Sequence, residues 1–281
     1  DYPPVAPSAI PHRWLDKVCR PLSEQEIMTI VKAFGDGAFN AKRAGFDGVQ
    51  IHAVHEGYLI DQFAMSLFNK RNDKYGGSLE NRLRFAREII EEIKSRCGSD
   101  FPVMLRFSPK SFIKDLRDGA LPGEKFVEKG RDLEEGIEAA KLLESYGYDA
   151  LDTDVGSYDA WWWSHPPMYQ EKGLYRPYCK MVKENTAIPI LCAGRMDDPN
   201  MALEAIEGGV CDVISLGRPL LADAHYVNKL RRDAFCEIRP CISCQEGCMG
   251  RVQEYSAINC AVNPSAGRER ITSYNPVAKP K

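Results

Sequence analysis

The sequence predicts an α/β chain built on a parallel sheet: either an open five-stranded sheet or the last five-eighths of an eight-stranded α/β barrel. Three observations lead there. Strand-like and helix-like segments alternate from residue 23 to about residue 232, the pattern of parallel strands joined by helical crossovers. Five short apolar runs read as strands, and each ends in a polar or glycine-bearing turn, where parallel α/β folds place their sites. The 281 residues would suit a whole barrel of about 250 residues. However, the 45 residues ahead of the first strand cannot hold the three further strand–helix units that closure needs.

The elements follow in order. Residues 1–22 are proline-rich and read as irregular. Ser23-x-x-Glu26 is a capping box. It opens a helix to about Ala44 with Ile27, Ile30, Val31, Phe34 and Ala38 on one face, and Gly45 ends it. The first strand is 46–52. The charge-rich run 69–87 predicts structure rather than chemistry, a turn at Gly76-Gly77 and then a helix capped by Ser78 that reaches about Arg96. The second strand is 102–107, and a polar insertion, 108–131, separates it from a helix capped at Asp132. The third strand is 149–155, followed by an aromatic loop and a helix over about 173–185. The fourth strand is 188–193. Asp198-Pro199 starts the next helix, since proline suits the first helical position. The fifth strand is 211–216, and one helix is expected over about 220–232, ahead of a cysteine loop and a polar tail.

Composition narrows the function. The chain is 44% hydrophobic and 27% charged, ordinary globular values. With 37 Lys plus Arg against 40 Asp plus Glu the net charge is −3, not the basic balance of a nucleic-acid surface. No apolar run reaches the ~18 residues of a membrane span, and no leader pattern opens the chain. A cytoplasmic protein acting on a small molecule is expected, with no nucleic-acid or membrane partner; a homo-oligomer stays open. Six of the 10 cysteines, Cys19, Cys97, Cys179, Cys192, Cys211 and Cys236, are scattered and read as small buried hydrophobes. Cys241, Cys244, Cys248 and Cys260 read C-x2-C-x3-C-x11-C. Such spacings gather thiolates around one centre, either zinc or an iron–sulfur cluster. Zinc ribbons pair two C-x2-C knuckles and this chain has one, which favours the cluster.

The strand ends carry the candidate chemistry. Gly194-Arg195 and Gly217-Arg218 follow consecutive strands and precede helices. Backbone N–H groups beside glycine, with an arginine fork, make a phosphate site. Arg106 lies inside an apolar strand, where a charge needs a partner; an acidic neighbour or a bound electron-rich ring would serve. His52, His55 and Tyr58 cluster past the first strand. An imidazole can donate to a carbonyl oxygen, and a phenol can deliver a proton while neutral at pH 7. Trp161, Trp162 and Trp163, with Tyr158, His165 and Tyr169, form an aromatic loop. Three consecutive tryptophans cannot share one face of a regular element, so at least one is expected to be exposed or to line a pocket.

Several motifs stand in order: Gly45–His52, then 57–63 (Gly-Tyr-Leu-Ile-Asp-Gln-Phe), then 69–82 (Asn-Lys-Arg-Asn-Asp-Lys-Tyr-Gly-Gly-Ser-Leu-Glu-Asn-Arg). Over roughly 20–265 the sequence resembles the Old Yellow Enzyme family of FMN-dependent ene-reductases. With Gly194-Arg195, Gly217-Arg218-Pro219 and the cysteine run it resembles the iron–sulfur branch, which includes 2,4-dienoyl-CoA reductase, trimethylamine dehydrogenase and the bile-acid-inducible NADH:flavin oxidoreductases. The resemblance implies a (β/α)8 TIM barrel of which this chain holds strands four to eight. It implies an FMN-binding portion at 1–235, a [4Fe–4S] loop at 236–265 and, at 266–281, a linker towards an FAD- and NAD(P)H-binding region. It further implies that Arg106 faces the flavin ring and that Gly194, Arg195, Gly217 and Arg218 hold its phosphate. Tyr58 is then the proton donor, and Cys241, Cys244, Cys248 and Cys260 are the cluster ligands.

Two departures matter. Glu56 is inserted ahead of Gly57-Tyr58, so His52 and His55 cannot both keep register with the strand and with Tyr58. The carbonyl-binding role is given to His55, while His52, Tyr158 and Trp161 are taken to contact substrate. Tyr158 stands where dienoyl-CoA reductases carry a histidine, and the tryptophan run with His165-Pro166-Pro167 leans towards the bile-acid flavoenzymes. The expected reaction is hydride transfer between reduced FMN and an activated C=C bond of an enone or enoyl thioester. Electrons come from NAD(P)H through FAD and the cluster. An amine dehydrogenase with a tryptophan-caged alkylammonium is the alternative enzyme, and a zinc-ribbon binding module is the alternative outside catalysis. The isolated segment is expected to retain FMN weakly.

Overall fold

The computed structural model describes residues 3–55 and 58–272. The insertion at Glu56, Gly57, and the tail from 273 onwards lie outside the described residues. The N-terminal stretch is less irregular than expected. It contributes two short parallel strands, β1 (Val5–Ala6) and β2 (Arg20–Pro21). Arg71 holds it, donating to the carbonyls of Pro7 at 2.9 Å and Leu22 at 2.6 Å. The charge-rich run is therefore structural, as its composition suggests.

The capping box forms. The Ser23 hydroxyl accepts from the Glu26 N–H and the Glu26 carboxylate accepts from the Ser23 N–H, opening α1 (Glu24–Arg43). Next come β3 (Val49–His52), α2 (Leu59–Ala64), α3 (Leu79–Cys97, capped by Ser78) and β4 (Val103–Phe107). The 108–131 insertion contains a small hairpin, β5 (Ile113–Asp115) with β6 (Asp118–Gly119). The Glu128 carboxylate ties it by accepting from the Phe112 and Ile113 N–H groups at 3.0 and 2.6 Å. Asp132 caps α4 (Leu133–Ser145), and β7 (Ala150–Thr153), α5 (Trp161–Ser164), α6 (Arg176–Lys183) and β8 (Ile190–Cys192) follow. Asp198 caps α7 (Pro199–Glu207) ahead of β9 (Val213–Ile214).

The single helix expected over 220–232 is two, α8 (Arg218–Ala222) and α9 (Tyr226–Leu230). The break falls at Asp223. Its carboxylate accepts from the His225 and Arg239 N–H groups and from the Lys229 ammonium; of these, Arg239 lies in the loop beyond the helices. Five of the scattered cysteines are buried as expected, but Cys236 is exposed.

β3, β4, β7, β8 and β9 form one parallel sheet in sequential order. A doubly wound sheet reverses its order at a switch point. Strictly sequential order with right-handed crossovers instead keeps the helices on one face, the winding of a barrel. Among the described residues β3 and β9 do not pair, so the array is open and no barrel closes. Ile51, Leu105, Leu151 and Ile190 lie in one register row and are all buried. His52, Arg106 and Asp152 form the next row and, by the strand's twofold alternation, face the other side.

Candidate active site

Arg106 sits in that row between two carboxylates. Its Nε lies 3.0 Å from Asp154 Oδ2, with Nη2 on the same oxygen, and its Nη1 lies 3.2 Å from Asp152 Oδ2. Burial opposes the guanidinium charge, but Asp154 and Asp152 outweigh it and hold its pKa above the ordinary value. Burial likewise works against the Asp154 carboxylate, yet Arg106 and His55 keep its pKa below the usual range. Asp152 also accepts from the Gln50 amide and the Ser215 hydroxyl, each at 2.8 Å. Arg106 thus has the acidic partners the strand required, and it still lines a cleft. Sequence reasoning passed over Gln50, Asp152, Asp154 and Ser215. The available signal was Asp152-Thr153-Asp154 in an apolar strand, since buried acids need a cation.

The cleft measures about 440 Å³ and opens at the carboxyl ends of the strands. It brings together Arg106, His55, Gly194, Arg195, Gly217 and Arg218. Gly194 has φ +84°, and a Cβ there would lie 2.5 Å from the Tyr175 ring. Gly217 differs: its φ is −112° and a Cβ would meet nothing within 4 Å, so neither backbone nor packing requires glycine. The arginines hold the aromatic loop. Arg195 donates to the carbonyls of Pro167 at 3.0 Å and Met168 at 3.2 Å, and Arg218 to that of Pro166 at 2.9 Å. Arg195 Nε is buried without a partner.

His55 is buried, at φ +68°, and among the described residues both its ring nitrogens lack hydrogen-bond partners. Asp154 Oδ2 stands 3.7 Å from Nε2. Burial, opposed by Asp154, pushes the imidazole pKa down to about 4, so it is neutral near pH 7. His55 stacks on Tyr158 at 4.7 Å, and the Tyr158 hydroxyl donates to Tyr58 Oη at 3.1 Å. His52 meets Tyr58 edge-on at 4.3 Å, and burial lowers its pKa too. The tryptophans divide as the sequence required. Trp163 stacks on Phe112 at 3.8 Å, Trp162 is exposed, and Trp161 stacks on His165 at 3.9 Å. His52, His55, Tyr58, Tyr158 and Trp161 therefore form one aromatic cluster beside the cleft.

Cys241, Cys244, Cys248 and Cys260 all line one small cavity of about 20 Å³. The Ser243 N–H donates to Cys241 Sγ at 3.4 Å. The gathering expected from the spacing is present, but it is incomplete. Among the described residues no three His, Cys, Asp or Glu side chains are placed to hold a metal ion. A single zinc needs its thiolates within about 2.3 Å of one point; a cluster spreads its cysteine ligands over several irons.

Residues 3–235 match the NADH:flavin oxidoreductase / NADH oxidase family. The chain belongs to that family. It is 63% identical over 267 residues to a cinnamate reductase of Clostridium sporogenes, covering 95% of this chain and 40% of the relative. It is 40% identical to an NADH oxidase of Thermoanaerobacter brockii, covering 96% and 39%. A solved 2-naphthoyl-CoA reductase in complex with 2-naphthoyl-CoA superposes with a TM-score of 0.87 at 30% identity, over 99% of this chain and 40% of that one. The chain thus spans about 40% of the length of these three relatives. Family membership sets aside the zinc-ribbon module as a reading of the whole chain.

A family flavin fits the residues present. Among the described residues the cleft offers an unpartnered buried nitrogen on Arg195, and at Gly217 it leaves space that a side chain would fill.

Proposed function

We propose that this chain supplies the flavin- and substrate-binding face of an FMN-dependent ene-reductase whose substrate is an activated alkene of the aryl-acrylate or enoyl-thioester type. The observation that carries this reading is His55, a buried neutral imidazole with two unpaired nitrogens, set within one aromatic layer of the Tyr58 hydroxyl. Leaving such nitrogens unpaired costs about 1–3 kcal/mol each, and a substrate carbonyl, an acceptor, would remove that cost at the nitrogen that carries the proton. Gly194, Arg195, Gly217 and Arg218 would hold the FMN phosphate, and Arg106 would face its ring. When bound and reduced, FMN would supply hydride to the alkene β-carbon. His55 hydrogen-bonds the carbonyl oxygen and favours the charge that develops there. Tyr58 Oη, already in contact with Tyr158, delivers the proton to the α-carbon. Hydride and proton together saturate the double bond. Cys241, Cys244, Cys248 and Cys260 are read as ligands of a [4Fe–4S] cluster that relays electrons from NAD(P)H and FAD in the longer protein.

The amine-dehydrogenase reading finds less support. A cation cage needs free aromatic faces, and here Trp161, His165, Tyr158 and His55 stack on one another. Anaerobic incubation of the full-length protein with NADH and cinnamate tests the proposal. Conversion to 3-phenylpropanoate with matching NADH oxidation is expected; turnover of a tertiary amine but not of cinnamate would overturn it.

A further inference from the structure

The cysteine loop and the aromatic wall of the cleft meet at one side chain. Gln245 follows Cys244 directly, and its backbone is left-handed, φ +64°. Its amide works in both directions. Oε1 accepts from Trp161 Nε1 at 3.3 Å, and Nε2 donates to the His165 carbonyl. Trp161 and His165 are a parallel pair, 3.9 Å apart at 12°; His165 is the member that lines the cleft, together with Cys241 and Ser243 of the same loop, and Trp161 backs it. An amide that accepts from a ring and donates to that ring partner's backbone fixes distance and rotation at once. Alanine or valine at this position could do neither.

We propose that Gln245 is a positioning residue through which the four-cysteine loop sets the Trp161–His165 wall, and thereby the affinity for a flat aryl substrate. It touches neither the reacting atoms nor the proton donor, so it acts on binding and not on the chemical step. The part concerning substrate rests on the ene-reductase reading; the part concerning the wall does not.

Gln245→Asn tests it in the full-length, flavin-loaded protein. Asparagine tolerates left-handed backbone but is one methylene shorter, so it releases both contacts without straining the loop. The KM for cinnamate is expected to rise about tenfold, in keeping with two modest hydrogen bonds, with kcat within about twofold and iron content unchanged. Trp161→Phe removes the same ring contact, so adding it to Gln245→Asn should cost little more than either change alone. The second readout needs no turnover. The emission assigned to Trp161, taken as the difference between the parent and Trp161→Phe spectra, should shift in Gln245→Asn. Fully additive KM effects, a fall in kcat at constant KM, or an unmoved Trp161 emission would each overturn the proposal. If cinnamate is not reduced by the parent protein, the ene-reductase reading fails, and the emission arm still decides the role of Gln245.

Discussion

Replacing His55 by phenylalanine should make the protein more stable and nearly inactive. The ring keeps its place against Tyr158, stacked at 4.7 Å, while two buried nitrogens without partners disappear. Each such atom costs about 1–3 kcal/mol. Against that gain stands about 1–2 kcal/mol for holding phenylalanine at φ +68°, where histidine is better tolerated. A net gain of about 2 kcal/mol corresponds to a Tm increase of about 4–8 °C in a domain of this size. Loss of the carbonyl donor should lower kcat/KM about 100–1,000-fold, the usual cost of one such hydrogen bond. The acid limb gives a third readout. The folded imidazole has its pKa lowered to about 4, while the unfolded one titrates near about 6.5. Between those values the unfolded chain binds more protons, so stability falls as pH drops from about 6.5 to about 4. The variant should lose part of that slope, and His165, pushed down to about 3 chiefly by burial, should keep the rest. Thermal unfolding of the flavin-loaded, substrate-free protein at pH 5 and pH 7.5, beside cinnamate reduction assays, measures all three. A lower Tm at pH 7.5 with activity retained would show that His55 already has a partner within the fold and would refute the reasoning.

The two strand-end glycines should separate packing from ligand binding. Gly217→Ala meets no atom of the chain, so Tm without flavin should stay within about 1 °C while FMN dissociation in a fluorescence titration weakens at least about tenfold. Gly194→Ala strains a φ of +84° and drives a methyl into the Tyr175 ring, so it should lower Tm whether or not flavin is bound. Cys248→Ser in the full-length protein should abolish iron incorporation in elemental analysis. Cys236→Ser, at an exposed thiol outside the shared cavity, should leave it intact.

Much of this architecture is legible in local sequence. Ser23, Ser78 and Asp132 each cap the helix expected of them, and Asp198-Pro199 opens α7, because capping involves residues only a few positions apart. The polar strand ends likewise converge, since parallel strands present their carboxyl ends on one side. What stayed hidden depends on distant partners. At the break, Asp223 bonds the Arg239 N–H sixteen residues on, and the hairpin in 108–131 is tied by Glu128. Arg195 and Arg218 also grip the carbonyls of Pro166 to Met168, a contact that the strand-end motif does not show. Gln245 was invisible because nothing in the run Cys244-Gln245-Glu246 reveals that Trp161 lies across from it.

Sequential strand order also shapes how the chain acquires its structure. Among the described residues each strand of the five-stranded sheet pairs only with the sheet strand before it and the one after it, so the sheet can grow by nearest-neighbour addition. An added unit meets a template of the same parallel kind at either β3 or β9, which makes this array extendable from both sides without rearranging what has already folded.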